Sequence, residues 1–198
     1  MSDSDLILAS ASPRRAELLT QIGVRFTVVP ADIDESQWVS ESAADYVSRM
    51  ALEKAAAGRV GQELGISVLG ADTTVVCDEQ VFGQPVDYSD AERMLLALSN
   101  RTHRVLSAVA VDNGIHRDML LSETRVTFRE ITVQECDNYW RTGEPLGKAG
   151  GYAIQGLGAI FVVHLEGSYS GVVGLPLAET EMLLKQFSIP LWQGVKAV

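Results

Sequence analysis

Two segments of alternating apolar and polar residues, Arg104–Asp112 and about Leu120–Phe128, flank the dipeptide Asn113-Gly114. Asn-Gly between such segments is a strong signal for a two-residue β-hairpin, because both turn residues tolerate the positive φ that its twist requires. An antiparallel pair in mid-chain excludes a wholly parallel sheet, although helices and strands interleave on either side of it. The chain is therefore expected to form an α/β domain on a mixed sheet.

The elements before the hairpin begin with a short apolar strand, Leu6–Ala9, that runs into Ser10-Ala-Ser12-Pro13-Arg14-Arg15. Proline favours the first helical position and Ser12 is a good N-cap, so a helix is expected over roughly Pro13–Ile22, closed by Gly23. Phe26–Val29 reads as a strand leading into the acidic loop Asp32-Ile-Asp34-Glu35. Ser42 to about Val60 carries an apolar stripe at helical spacing, and Ser67–Cys77 is a β-branched, apolar strand. A turn near Asp78–Gln80 and a helix over about Ser89–Leu98 complete this half. After the hairpin come a helix over Thr132–Thr142, a glycine-dense span Gly147–Gly158 and a strand Ala159–Leu165. A second glycine-rich loop, Gly167–Gly174, precedes a last helix, Leu177–Phe187. No repeat, linker or low-complexity tract divides residues 1–198, which read as one domain.

Composition narrows the function. With 46% hydrophobic and 21% charged residues the chain is ordinary globular material. No apolar stretch reaches the ~20 residues needed to span a bilayer. The start, Met1-Ser-Asp-Ser-Asp5, lacks the basic residues of a secretory signal. Two cysteines, Cys77 and Cys136, are too few for a disulfide framework or a thiolate zinc site, which points to the cytoplasm. A formal net charge of −10 argues against a nucleic-acid polymer as partner. It does not exclude a nucleotide, because screening over about 8 Å lets a few local cations outweigh distant acids.

Several positions stand out chemically. Arg14 and Arg15 occupy a first helical turn, where the helix dipole disfavours cations. With Ser10, Ser12 and the free amides of that turn they form either a socket for a polyphosphate or a solvated basic turn. Asp72 interrupts the run Val68–Val76, where an isolated ionised carboxylate is costly, and so needs a cation, a metal or an opening to solvent. There it could hold a divalent ion, take a proton from water, or both, if it does not simply bond a backbone amide. Gln155 lies between glycines in Gly150–Gly158, where an amide could read a base or merely sit in a connector. Lys54 either snorkels outward or reaches a cleft. Glu35 and its acidic neighbours read most simply as a solvated loop. Walker-type, G-x-G-x-x-G and nucleophile-elbow patterns are missing, and His103, His116 and His164 show no metal spacing.

These residues together resemble the Maf family of nucleoside triphosphate pyrophosphatases over nearly the whole chain. The matching segments are Leu8–Leu19, Gly70-Ala-Asp-Thr73, Lys148–Gly151, Tyr152-Ala-Ile-Gln-Gly156, Gly167-Ser-Tyr169 and Val173-Gly-Leu-Pro176. The resemblance implies an elongated two-lobed, mixed-sheet α/β fold of the inosine-triphosphatase type, with the active cleft between lobes. It implies hydrolysis of a nucleoside triphosphate to the monophosphate and pyrophosphate with a divalent cation, magnesium or manganese. Asp72 falls on the family's catalytic acid, Arg14 on a substrate-discriminating arginine and Arg15 on a phosphate contact. Thr73 and Gln155 match specificity positions, Lys54 a helix lysine facing the cleft, and Glu35 an acid near the metal. Thr73 with Gln155 looks like the dTTP/UTP subgroup, acting on those nucleotides and modified analogues to sanitise the nucleotide pool. Gln84 stands where relatives commonly carry lysine, and glutamine can still donate to phosphate but without charge.

The expected substrate-binding set is thus Ser10, Ser12, Arg14, Arg15, Lys54, Thr73, Gln84 and Gln155, with Asp72 catalytic and Glu35 and Asp72 on the metal. Two other functions fit the same sequence: a 7-methyl-GTP pyrophosphatase, or a nucleotide-binding module acting in cell division without turnover. A homodimer is compatible with the resemblance.

Overall fold

The computed structural model describes residues 4–194; the first three residues of the acidic start lie outside the described residues. Within them the chain forms one mixed sheet with strands β1 (Leu6–Leu8), β2 (Phe26–Val28), β3 (Val68–Cys77), β4 (Gln80–Phe82), β5 (Thr102–Asp112), β6 (Arg117–Phe128) and β7 (Val162–Glu166). The order is β2-β1-β3-β5-β6-β7, with β4 paired to β3. The expected hairpin joins β5 to β6, but its connection is four residues, 113–116, and not the pair Asn113-Gly114 alone: Asp112 pairs with Arg117, and only Gly114 of that dipeptide takes a positive φ. Asn113 fixes the turn: its Oδ1 accepts from the amides of Ile115 and His116 at 3.0 and 2.8 Å. The two halves of the sheet differ. β1, β2 and β3 are mutually parallel, and β3, β5, β6 and β7 alternate.

Parallel strands need crossover helices. α1 (Pro13–Gln21) joins β1 to β2 and α2 (Ala43–Arg59) joins β2 to β3. They cover opposite faces of the sheet. Val47, Ala51 and Ala55 of α2 pack on Val76, Leu106, Ala108 and Ala110, while Leu18 and Leu19 of α1 join the larger core on the other side. That larger core also takes α3 (Tyr88–Leu98), α4 (Val133–Trp140), the short α5 (Tyr169–Val173) and α6 (Leu177–Gln186). Strand alternation decides which residues of β3 meet which layer. Leu69, Ala71, Val75 and Cys77 face the larger core; Gly70, Asp72 and Thr74 lie on the α2 side.

Gly70 is what lets α2 lie so close. A Cβ there would sit 2.3 Å from the carbonyl of Ala51 and 2.4 Å from the amide of Ala55. Both are helix backbone and cannot yield without moving α2.

Two expectations change at the C-terminal side. The loop Gly167–Gly174 contains α5, because Ser168 caps it by accepting from the amide of Gly171 at 3.0 Å. The strand expected from Ala159 starts only at Val162, since Leu157–Phe161 coils into a 3₁₀ turn before it. Several aromatic side chains gather in the larger core. Phe128 sets its edge against His103 and Tyr152, both at 4.8 Å, and Tyr139 meets Phe161 at 5.2 Å. His103 is buried in this cluster with Nε2 2.9 Å from the Tyr152 hydroxyl, and burial pulls its pKa down to about 4.

The Gly70→Ala variant is expected to lose about 3 kcal/mol or more in urea unfolding, the range of overpacked cores. His103 generates a second expectation. Its folded pKa lies below the unfolded 6.5, so its stabilisation is complete above pH 6.5 and is lost as pH falls towards 4. Unfolding free energies measured from pH 7 to 4 are expected to drop about 3 kcal/mol further in the wild type than in His103→Gln.

Candidate active site

The sheet forks along one edge of β3. β5 pairs with β3 from Val68 to Val76 on one side. On the other, β1 pairs only with Val68 and Leu69, and β4 only with Val75 to Cys77. Between them the edge around Asp72 opens into a cleft of about 1000 Å³. The chain leaving β1 turns into α1 at this opening. Ser12 occupies the N-cap position there, but its hydroxyl makes no bond to the helix; the capping that the sequence predicts is not used. By contrast the caps Ser42, Asp87 and Thr132 all accept a first-turn amide of their own helix.

The charges converge on the α2 side. Lys54 is buried rather than snorkelled, with Nζ 2.7 Å from Asp72 Oδ1 and 2.9 Å from Glu35 Oε1. Lys54 stands two helical turns after Val47 and one after Met50, on the buried stripe of α2, which aims it at β3. Burial raises the Asp72 pKa above its ordinary value, against the pull of Lys54 and Arg15. Desolvation likewise lowers Arg15, with Asp72 opposing it. Arg15 is held rigidly: Nε donates to the carbonyl of Gly174 at 2.9 Å and Nη1 to Ser10 Oγ at 3.1 Å. The same Oγ accepts from the amide of Ser12 at 3.2 Å, so one serine ties the first arginine-bearing turn to the strand end.

Glu35 sits on a long loop without regular structure, and α2 fastens that loop. The Tyr46 hydroxyl donates to the Glu35 carbonyl at 3.0 Å, with its pKa pushed up to about 12 by burial and by Asp72 and Glu35. Arg49 donates to Glu41 at 2.6 and 2.8 Å and to the Ser36 carbonyl at 3.0 Å, and stacks 4.0 Å over Trp38. The Glu35 side chain itself is 52% exposed, open to solvent and to a ligand.

The opposite wall holds the remaining residues. Thr73 Oγ1 lies 3.0 Å from Ser107 Oγ, which donates to the Gly171 carbonyl at 2.6 Å and so binds β5 to α5. Gln84 follows β4, where the Gly83 carbonyl accepts from the Gly150 amide at 3.0 Å and stitches this strand end to the glycine-dense span. Arg14 reaches the Gly147 carbonyl at 3.5 Å, and Lys148 the Leu146 carbonyl at 3.1 Å. Gln155 is exposed on the same wall.

Ser10, Ser12, Arg14, Arg15, Glu35, Lys54, Asp72, Thr73, Gln84 and Gln155 therefore all line one cleft. Of the acidic loop only Glu35 does so; Asp34 turns back to accept from Ser36 at 2.9 and 2.6 Å. Tyr46 and Glu144 also line the cleft and were not legible as site residues. Tyr46 belongs to the apolar stripe of its helix, and no sequence pattern singles out Glu144.

Among the described residues no group of three or more His, Cys, Asp and Glu is arranged to hold a metal unaided. Asp72 and Glu35, both within 3 Å of one ammonium nitrogen, are the two carboxylates that would hold a divalent ion, and such an ion would need further oxygen ligands from substrate or water. Magnesium is commonly held in that way.

The family model described as "Maf-like protein" matches residues 5–187. A protein from Saccharophagus degradans named "dTTP/UTP pyrophosphatase" is 53% identical over 197 residues, covering 98% of this chain and 94% of its own. Proteins of the same name from Hahella chejuensis and Vibrio vulnificus are 51% and 50% identical, covering 94% and 92% of this chain and 94% and 98% of theirs. A crystal structure titled nucleoside-triphosphatase / dITP/XTP pyrophosphatase, from Mycobacterium abscessus, aligns with TM-score 0.40 and 18% identity over 62% of this chain and 73% of that one.

Breaking the central ion pair from one side leaves a buried charge without its partner, a loss of roughly 3–5 kcal/mol. Lys54→Met is expected to show a loss of that size by denaturant unfolding. Adding Asp72→Asn to it is expected to recover most of the loss, which a double-mutant cycle measures.

Proposed function

This chain belongs to the Maf-like protein family, and we propose that it hydrolyses dTTP, UTP and modified pyrimidine analogues to the monophosphate and pyrophosphate. The observation that carries this reading is the buried Asp72, paired with Lys54 and under the influence of Arg15, on the wall of a cleft large enough for a nucleotide. The names of relatives at about half identity support the substrate class.

Phosphoryl chemistry asks an enzyme mainly for positioning and charge stabilisation. Arg15, fixed by Ser10 and Gly174, and the first turn of α1 at Ser12 hold the phosphate chain. Arg14 and Gln84 extend that grip at the cleft mouth. Asp72 accepts a proton from the water that attacks the α-phosphorus; its raised pKa makes it a better base than an exposed aspartate. The bond from the α-phosphorus to the bridging oxygen breaks, and pyrophosphate leaves with that oxygen. Lys54 keeps Asp72 ionised and oriented before the attack. Thr73 and Gln155 read the nucleoside. A divalent ion held by Asp72 and Glu35 together with the phosphates supplies charge neutralisation when bound.

Two free, buried cysteines and an acidic chain accord with a cytoplasmic location. No helix among the described residues is long and apolar enough to cross a membrane.

The test is a coupled phosphate-release assay over dTTP, UTP, CTP, ATP and 7-methyl-GTP with magnesium or manganese. Turnover of dTTP and UTP is expected to lead, and Asp72→Asn to lower kcat about a hundredfold or more. Preference for 7-methyl-GTP would reassign the substrate. Calorimetric nucleotide binding without pyrophosphate release under either metal would make the protein a binding module.

A further inference from the structure

Glu144 follows α4 in the turn that leads to the glycine-dense span, and it lines the cleft without meeting the catalytic charges. Its carboxylate is spent on the chain itself. Oε1 accepts from the Tyr139 hydroxyl at 2.7 Å and the Gly158 amide at 2.9 Å, and Oε2 accepts from the Leu157 amide at 3.0 Å. The Tyr139 oxygen accepts in turn from the Ala153 amide at 3.1 Å. One acid and one phenol thus grip amides on both sides of Gln155.

The backbone is moulded to this pair. A Cβ on Gly156 would lie 2.2 Å from Glu144 Oε2, and one on Gly158 2.6 Å from the Tyr139 hydroxyl oxygen. The two glycines that follow Gln155 leave room for the loop to wrap the Glu144–Tyr139 pair. Burial opposes ionisation of Glu144, yet the amides of Gly158 and Leu157 and the Tyr139 hydroxyl hold its carboxyl below the usual range.

We propose that Glu144, acting with Tyr139, is a positioning residue for base selectivity: it fixes the Ala153–Gly158 loop so that Gln155 meets the pyrimidine in one orientation. This rests on Gln155 reading the base, as proposed above. Glu144 acts through that loop, and the phosphate grip at Ser10 and Arg15 is independent of it.

The test uses Glu144→Gln, whose amide nitrogen cannot accept a bond and faces a backbone N–H, and Tyr139→Phe as a milder variant. Amide exchange at Leu157 and Gly158 is expected to quicken at least tenfold in Glu144→Gln, the effect of losing about one hydrogen bond. The Kd ratio between CTP and UTP, measured by calorimetry, is expected to fall by about tenfold, with inhibition by tripolyphosphate unchanged. In turnover the loss is expected in KM, with kcat held within about twofold. Tyr139→Phe is expected to shift the same quantities less. Exchange as in the wild type, or faster exchange with the nucleotide ratio unaltered, overturns the inference. A wild type that binds nucleotides selectively but releases no pyrophosphate refutes the enzymatic reading and leaves this one standing. A wild type that binds neither nucleotide refutes both.

Discussion

The contact on which the rest of this molecule depends is the ion pair between Lys54 and Asp72. Both side chains are taken out of water, which for an ion costs several kcal/mol even after relaxation, and neither is tolerable there alone. A well-packed apolar pair of similar volume would hold the sheet and α2 together at least as firmly. The ion pair is therefore poorly explained by stability and well explained by chemistry. It keeps a carboxylate in a site of low polarity, where its basicity is raised and its geometry fixed, while a neighbouring ammonium keeps it from simply taking up a proton.

The backbone makes this arrangement possible in two ways. Gly70 draws α2 against β3, so that Lys54, on the same buried face of α2, is delivered to Asp72, two residues further along the strand on the same side. The fork in the sheet then opens the edge of β3 at just those residues. Had β1 continued past Leu8, its chain would have covered the edge; instead the strand stops there and Pro13 starts a helix. The same turn that uncovers Asp72 carries Arg15 round to face it. Exposure of the acid and delivery of the cation are consequences of one local structural event.

Much of this was legible in the sequence, for identifiable reasons. Asn113-Gly114 and the proline at position 13 act locally, and local chemistry survives folding. The burial of Asp72 was legible because a charged residue amid β-branched neighbours has few explanations. What Lys54 does was not. Its spacing placed it at the edge of an apolar stripe, where outward snorkelling and an inward ion pair look alike, and only the approach allowed by Gly70 separates them. Glu144 was invisible for a related reason. Its partners are backbone amides 13 and 14 residues away, and no side-chain pattern records an amide. Ser12 misled in a smaller way: it has the right residue type and position for a cap, yet its hydroxyl stays free of the helix. Propensity identifies where a cap belongs, and Ser12 lines the cleft with the arginines beside it instead.

The balance of charge also explains how an acidic protein can admit a polyanion. The chain carries a formal net charge of −10, which repels a long nucleic acid over its whole length. A nucleotide is shorter than a few screening lengths and responds to what lies near it. Within the cleft Arg14, Arg15, Lys54 and Lys148 stand against Asp72, Glu35 and Glu144, and the last of these acids is already occupied by amides and a phenol. Lys54 is likewise engaged with Asp72 and Glu35, so Arg14, Arg15 and Lys148 are the cations whose bonds go to neutral oxygens. Those are the groups able to exchange a neutral partner for a phosphate oxygen, and charge-assisted bonds are about twice as strong as the neutral ones they replace. Selection of a small polyanion over a large one thus follows from where the charges are spent, with no need for a basic surface.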